Sequence, residues 1–260
     1  MNNIHSTAIV DPAAKLGDNI EIGPYAIIGP DVTLGDGCVI HAHAVIDGNT
    51  TLGSQVQVFE GAHIGGKTQD LKFKEGNKTF VKVGDRTVLR EFVTINCGTK
   101  DGESTVLGSD CLIMAYCHLA HGCVFGNHII VSNGSQFAGE VTVGDYAVIS
   151  GLVGVHQFVR IGCHVMIGGG SLIKQDCAPY FLYDGADGPT AAHGINTVGL
   201  TRRGFAKETV QALHVAYKRL CHDGMNVSDA IEAIKKDCPD IPEIRTLIEF
   251  FQTTQRGVVR

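Results

Sequence analysis

Tryptophan is absent from the 260 residues, and aromatic residues together make up only 7% of them. A core filled by large rings is thereby excluded, and a narrow interior of aliphatic and small side chains is expected. No stretch of about 18 apolar residues occurs, which excludes a membrane-spanning helix. The opening MNNIHSTAIV lacks the basic-then-apolar layout of a secretory signal, so a cytoplasmic protein without stable membrane insertion is expected. No basic stripe interleaved with aromatics appears, which argues against nucleic acid as a partner. A charged fraction of 18% and a hydrophobic fraction of 44% are ordinary for a globular chain.

What is plentiful is glycine, with 33 residues, and a period of six. Every sixth residue from Ile4 to Ile64 is aliphatic, and every sixth from Leu107 to Ile173 is aliphatic or Phe. Helices repeat every 3.6 residues and half-buried strands every second residue, so neither explains this spacing. A hexapeptide β-helix does. Two positions before each aliphatic the residue is mostly small or β-branched (Val32, Cys38, Ala44, Val56, Ala62, Val141, Ala147), as a narrow prism interior requires. Glycine often follows the aliphatic, as at Gly35, Gly108 and Gly144, where it is expected to supply the positive φ of a tight corner. Three hexapeptides make one triangular coil of about 18 residues, and coils stack at about 4.8 Å, so residues eighteen apart sit above one another. The repeat does not give the handedness of the coil.

Nine cysteines invite a metal or disulfide reading, above all Cys111, Cys117 and Cys123. The register places these three on different faces of one coil, so they cannot converge on a metal and read as buried small hydrophobes. The phase slips between Ile64 and Val83, making GGKTQDLKFKEGNKTF an external loop over about 66–80. A second interruption, CGTKDGEST, puts Asp101 where an aliphatic is due. Loops that interrupt a regular scaffold are where binding residues concentrate.

The hexapeptides end near Pro179, dividing the chain into a β-solenoid over 1–189 and a small α-helical domain over 190–260. Helical periodicity runs through FAKETVQALHVAYKRLCHDG with Gly224 as a stop. Ser228 is expected to cap DAIEAIKKD, and Pro242 to open the first turn of PEIRTLIEFFQTT. From residue 191 the chain carries ten Lys or Arg against eight Asp or Glu, while the whole chain is −6, leaving −8 on the prism. A mildly basic helical end on an acidic protein suits either an acidic partner or a solvated surface.

The segment CHLAHGC sets His118 and His121 on either side of inward Leu119. Above His121 the column runs Gly139 then Gln157, and beside it Gly122 then Glu140. A histidine with a carboxylate neighbour fits a general base, and a glycine above it leaves a backbone N–H open to an oxyanion. Exposed surface histidines are the alternative, and His156 fits a corner residue.

The prism, the loop TQDLK, and the segments CHLAHGC, VGVHQF, HVMIGGGS and GINTVGLTRRGF, followed by three helices, closely resemble the bacterial UDP-N-acetylglucosamine acyltransferase family over essentially the whole chain. The resemblance implies a left-handed parallel β-helix, a homotrimer with active sites between subunits, and the first committed step of lipid A synthesis. In that step an (R)-3-hydroxyacyl group moves from acyl carrier protein to the 3-hydroxyl of UDP-N-acetylglucosamine. It implies His121 as general base, Gly139 as oxyanion donor, and Gln69, Asp70, Lys72, His118, His156 and Gln157 as substrate contacts. Asn196, Arg202 and Arg203 match the nucleotide end, and Gly169 the residue that limits acyl length. A glycine there implies long chains around the hydroxymyristoyl class. The basic helices would dock the carrier protein, with no metal and no cofactor beyond the carrier's phosphopantetheine arm.

Three positions depart from the family pattern. Gly122 stands where Asp usually follows the catalytic histidine, Glu140 where the family has His, and Val198 where an acidic residue helps hold the nucleotide. Because 122 and 140 are stacked, Glu140 is expected to supply the displaced carboxylate to His121. The alternatives are a 3-amino UDP-sugar acceptor paired with Glu140, or a catalytically silent scaffold for nucleotide sugar or carrier protein. A zinc hexapeptide enzyme of the carbonic anhydrase kind is disfavoured by the absence of HxxxxH spacing. The N-acyltransferase acting later in the same pathway is disfavoured because hexapeptides begin at Ile4, leaving no room for its extra N-terminal domain.

Overall fold

The computed structural model describes all 260 residues. Two-residue strands follow one another at intervals of six, and each pairs in parallel with the strand one coil away, as in Leu112–Ile113 with Ile130–Val131. The result is a three-sided prism with faces of eleven, nine and eight strands, a left-handed parallel β-helix. The second residue of each two-residue strand from Ile22 onward points inward and is buried, and the small residues two places earlier, such as Ala44, Cys38 and Val141, are fully buried too. We call the edge between the eleven- and nine-strand faces the first edge, that between nine and eight the second, and that between eight and eleven the third.

Cys111, Cys117 and Cys123 are buried, and each precedes a strand of a different face. Their thiols point to backbone carbonyls, and burial pushes Cys111 up to about 11 and Cys123 up to about 12.

The role expected of the glycines after each aliphatic needs correction. Apart from Gly65 they do not adopt positive φ; that conformation falls two residues later, mostly on non-glycine residues such as Asn19, Tyr116, His128 and Glu140. The physical reason for glycine is proximity. A Cβ on Gly35 would lie 2.6 Å from the Gly53 carbonyl carbon, and one on Gly108 2.2 Å from the Gly126 oxygen. Stacked backbones meet there, and no side chain fits between coils.

Both interruptions of the register leave the nine-strand face and return on the eight-strand face. Residues 67–79 link the strands His63–Gly66 and Phe80–Val83, and 97–103 link Thr94–Asn96 and Ser104–Leu107. The loops therefore replace successive corners of the second edge, and they brace each other. Asn77 donates to the Thr99 carbonyl at 2.9 Å, and the Lys78 N–H donates to Asp101 at 2.7 Å.

Past Ile173 the strand Phe181–Asp184 joins the eleven-strand face and pairs antiparallel with Ala191–Ile195, which fastens the helical region to the prism. Four helices follow rather than three: α1 (Thr197–Arg202), α2 (Lys207–Cys221), α3 (Val227–Asp237) and α4 (Pro242–Thr253). Pro242 opens α4 as expected. The cap of α3 is Asn226, whose side chain accepts from the Asp229 N–H, and Ser228 already lies inside the helix. The polypeptide after α4 returns to the prism, where Asp176 exchanges backbone hydrogen bonds with Gly257 and Val259 at 2.9 Å each.

On the third edge His128, Tyr146, His164 and Tyr180 stack ring on ring. Burial, aided by the charge of Arg203 and only partly offset by Asp145, pushes His164 from 6.5 down to about 4, and its Nδ1 is buried without a partner. Below pH 6.5 the unfolded chain binds a proton that the folded chain refuses. Stability from this site is therefore complete above pH 6.5 and falls as the pH drops towards 4. Replacing His164 with Phe keeps the stack and should flatten the decline in melting temperature over that window; an unchanged acid slope would contradict this.

Candidate functional site

The second edge carries the column His121, Gly139, Gln157, one residue per coil. A Cβ on Gly139 would lie 2.2 Å from His121 Nε2, so glycine is needed for the imidazole to lie across the coil above it. Gln157 Nε2 is 3.5 Å from His121 Nε2 on the far side. The Gly139 N–H bonds to nothing in the chain. Equivalent N–H groups on the third edge are capped by an Asp or Asn one coil further on, as Asp18 is by Asp36 and Asn127 by Asp145, both at 2.8 Å. At Gly139 that place belongs to Gln157, whose amide lies near His121 instead. A free donor thus stands beside the imidazole, in the arrangement that holds an oxyanion.

The carboxylate on His121 comes from the external loop. Asp70 Oδ2 lies 3.4 Å from Nε2, with both side chains largely buried. Asp70 is held in place by an Asx turn: its Oδ1 accepts from the Lys72 N–H at 2.9 Å, and its own N–H donates to Thr68 at 3.1 Å. His118, on the next outward position, bonds through Nδ1 to Thr94 Oγ1 at 2.7 Å. Burial lowers its basicity, against the Thr94 hydrogen bond and with a smaller contribution from His121.

Glu140 stands elsewhere than expected. Its carboxyl occupies the space a side chain on Gly122 would fill, with Oε2 3.0 Å from the position of that Cβ, so the stacking of 140 on 122 is as the register requires. It makes no ion pair with His121. It lies 3.6 Å from Lys100 and faces Glu103, both in the second loop. Burial and then the charge of Glu103 raise its pKa, while Lys100 opposes. Burial also pushes Glu103 upward, but the N–H groups of Thr99 and Lys100 outweigh it and hold Glu103 below the usual range. The reason Glu140 turns away from His121 is that a cation is available in the loop, while Asp70 already covers the imidazole.

A cavity of about 640 Å³ brings together Gln69, Asp70, Lys72, His118, His121, Gly139, His156 and Gln157. Asn96, Gln136, Leu172 and Lys174 also line it and were not picked out from the sequence; as outward-facing residues on the nine-strand face, they were signalled only by the register. A second cavity of about 340 Å³ adjoins at His121 and is lined by Lys72, Lys74, Lys100 and Glu140. His156 Nδ1 lies 3.2 Å from Arg256.

The remaining expected residues are not gathered here by the single chain. Gly169 is at the first edge, at the opposite side of the nine-strand face. Arg202 ends α1 at the third edge, with Asn196 and Arg203 as the caps of that helix. Asn196 caps α1 through the Gly199 N–H at 3.1 Å and donates to the His164 carbonyl at 2.9 Å, so its side chain is already engaged. The Arg203 guanidinium lies 4.4 Å above the Tyr146 ring. Arg202 is exposed.

Residues 176–259 match the family described as UDP N-acetylglucosamine O-acyltransferase, domain 2, and residues 13–48 match the bacterial transferase hexapeptide repeat. The chain is 46% identical over 265 residues to the acyl-[acyl-carrier-protein]–UDP-N-acetylglucosamine O-acyltransferase of Burkholderia lata, with all of both chains covered. It superposes on the UDP-N-acetylglucosamine acyltransferase of Bacteroides fragilis with a TM-score of 0.96 at 39% identity, covering 99% of this chain and 100% of the other. For the Acinetobacter baumannii structure the TM-score is 0.94 at 41% identity, with 99% of each chain covered. Full-length identity at this level, together with a superposition covering 99% of the chain, places it in the UDP-N-acetylglucosamine O-acyltransferase family.

Proposed function

We propose that the chain transfers an (R)-3-hydroxyacyl group from acyl carrier protein to the 3-hydroxyl of UDP-N-acetylglucosamine, the first step of lipid A synthesis. The observation that carries this reading is a histidine whose Nε2 has the largely buried Asp70 carboxylate at 3.4 Å and the free Gly139 N–H on the coil above, in a cavity that also exposes apolar side chains. His121 Nε2 takes the proton of the sugar hydroxyl as its oxygen attacks the thioester carbon. Asp70, 3.4 Å from the same Nε2, pairs with the proton once it has arrived and so stabilises the imidazolium, and the Gly139 N–H holds the oxyanion. Collapse breaks the C–S bond, and the proton passes from His121 to the departing phosphopantetheine thiolate. Atoms and charge balance without a metal or a further cofactor.

Three copies complete the site in this reading. Along the eleven-strand face the outward residues Val88, Leu112, Ile130, Val148, Met166 and Leu182 form a continuous apolar stripe, an uncommon extent for a free surface. The first edge exposes large apolar side chains, with Tyr116 62% and Leu152 74% accessible. First edges meeting on a threefold axis would set the eleven-strand face of one copy against the nine-strand face of the next. The third edge with Arg202 and Arg203 would then come beside His121 of its neighbour, where their guanidinium groups suit the diphosphate. The acidic carrier protein would approach the basic helices.

Release of free carrier thiol that depends on UDP-N-acetylglucosamine tests the reaction; thiol release independent of the nucleotide sugar would contradict it. Within that assay Asp70→Asn should lower kcat about a hundredfold, whereas Glu140→Gln should lower it less than tenfold. The reverse order would return the orienting role to Glu140.

A further inference from the structure

Outward positions on the nine-strand face near the site run Gln136, Gly154, Leu172 in register, one per coil. Gly154 is the one without a side chain, so a slot crosses the face between the rows of Gln136 and Leu172, which lie two strand spacings, about 10 Å, apart. One end of the slot is the second edge at His156 and Gln157. The other is the first edge, where the corner of the same coil is Gly151 and the coil above presents Gly169. Leu172 is a large apolar side chain left 62% exposed, and its Cδ2 reaches within 3.0 Å of the place a Cβ on Gly154 would occupy. Its backbone is anchored by the Thr190 hydroxyl, which donates to the Leu172 carbonyl at 2.8 Å. It therefore leans into the slot from a fixed strand, between the reacting end and Gly169.

We propose that Leu172, seated on Gly154, is a specificity-determining ledge on which the middle of the acyl chain rests, acting before the chain reaches Gly169. The proposal rests on the acyl-transfer reading above. Leu172 contributes the apolar contact, and Gly154 supplies the depth that admits it together with a hydrocarbon chain. A donor too short to reach the ledge gains nothing from it, so its effect must depend on chain length.

The test is the affinity of carrier proteins loaded with 3-hydroxyacyl groups of increasing length, measured without nucleotide sugar, followed by kcat/KM with it. In the wild type affinity should rise with length. Leu172→Ala should weaken the long-chain donors about tenfold, the expected loss for a few buried methylene groups, and leave the shortest unchanged. Gly154→Val projects a branched side chain from an outward strand position without positive φ. It should displace Leu172 and exclude long donors while short ones still bind. Equal losses for all lengths, no loss, or wild-type binding indifferent to length would each overturn the ledge. Length-dependent binding with no acyl transfer to UDP-N-acetylglucosamine would instead retire the acceptor assignment and leave the ledge standing.

Discussion

Replacing His121 with Asn should lower kcat about a thousandfold, within the range for removal of a general base, with donor binding and assembly unchanged. Asn retains a polar side chain of similar reach but cannot accept and return a proton at neutral pH. The effect should exceed that of Asp70→Asn, because Asp70 acts only through the imidazole it touches at 3.4 Å. A His121→Asn enzyme retaining a tenth of wild-type kcat would remove His121 from the mechanism. In that event the free Gly139 N–H and the cavity would still account for binding, but not for turnover.

The second large effect is expected at Gly169, whose position on the first edge puts it at the far end of the slot. A Cβ there would meet the Gly151 oxygen at 3.3 Å and Ser150 Cβ at 3.8 Å, and its φ is not positive. A side chain can therefore be built with little adjustment, and a long one would project past the end of the nine-strand face. Gly169→Met should reduce kcat/KM for the longest donor about a hundredfold and leave donors several carbons shorter intact, so that the preference inverts. Methylene groups in an apolar pocket discriminate by factors of about 10–200 each, so an inversion of this size needs only a few displaced carbons. Unchanged donor selectivity would show that Gly169 merely completes a corner beside Gly168 and Gly170.

The two substitutions separate chemistry from measurement of length, and the fold keeps them apart. His121 and Gly169 sit on opposite edges of one face, each rigidly indexed by a coil whose inward residues are fully buried, among them Leu119, Val153 and Ile167. In such a scaffold a change at one edge has little means of shifting the other, so their effects on kcat/KM should add.

The prism and the histidine column were legible because both follow from counting. A period of six names the inward residue, eighteen names the neighbour above, and the column His121, Gly139, Gln157 needs nothing more. Asp70 escaped that arithmetic. It lies in a loop where the phase is lost, and no spacing rule says whether Asp70 or Glu75 turns back to the prism. The Asx turn that aims it depends on Thr68 and on a second loop that braces the first. Glu140 is the converse case: its height in the stack was correct, yet its partner was not, because Lys100 and Glu103 stand in the second loop and outside the register. The glycines after each aliphatic were correctly placed but wrongly explained, since the distance between stacked backbones is a tertiary quantity that propensity does not contain. Asn226 displaced Ser228 as the cap of α3 because both residue types serve and the one two positions earlier met the Asp229 N–H first.

The most direct test is mass spectrometry of the products formed from a mixed panel of 3-hydroxyacyl carrier proteins with UDP-N-acetylglucosamine. A single alkali-labile ester of UDP-N-acetylglucosamine, carrying a long 3-hydroxyacyl chain around the hydroxymyristoyl class, is the expected result. An alkali-stable amide formed only with a 3-amino sugar, or no acylated nucleotide from any donor, would contradict the assignment of His121 as the base that activates a sugar hydroxyl.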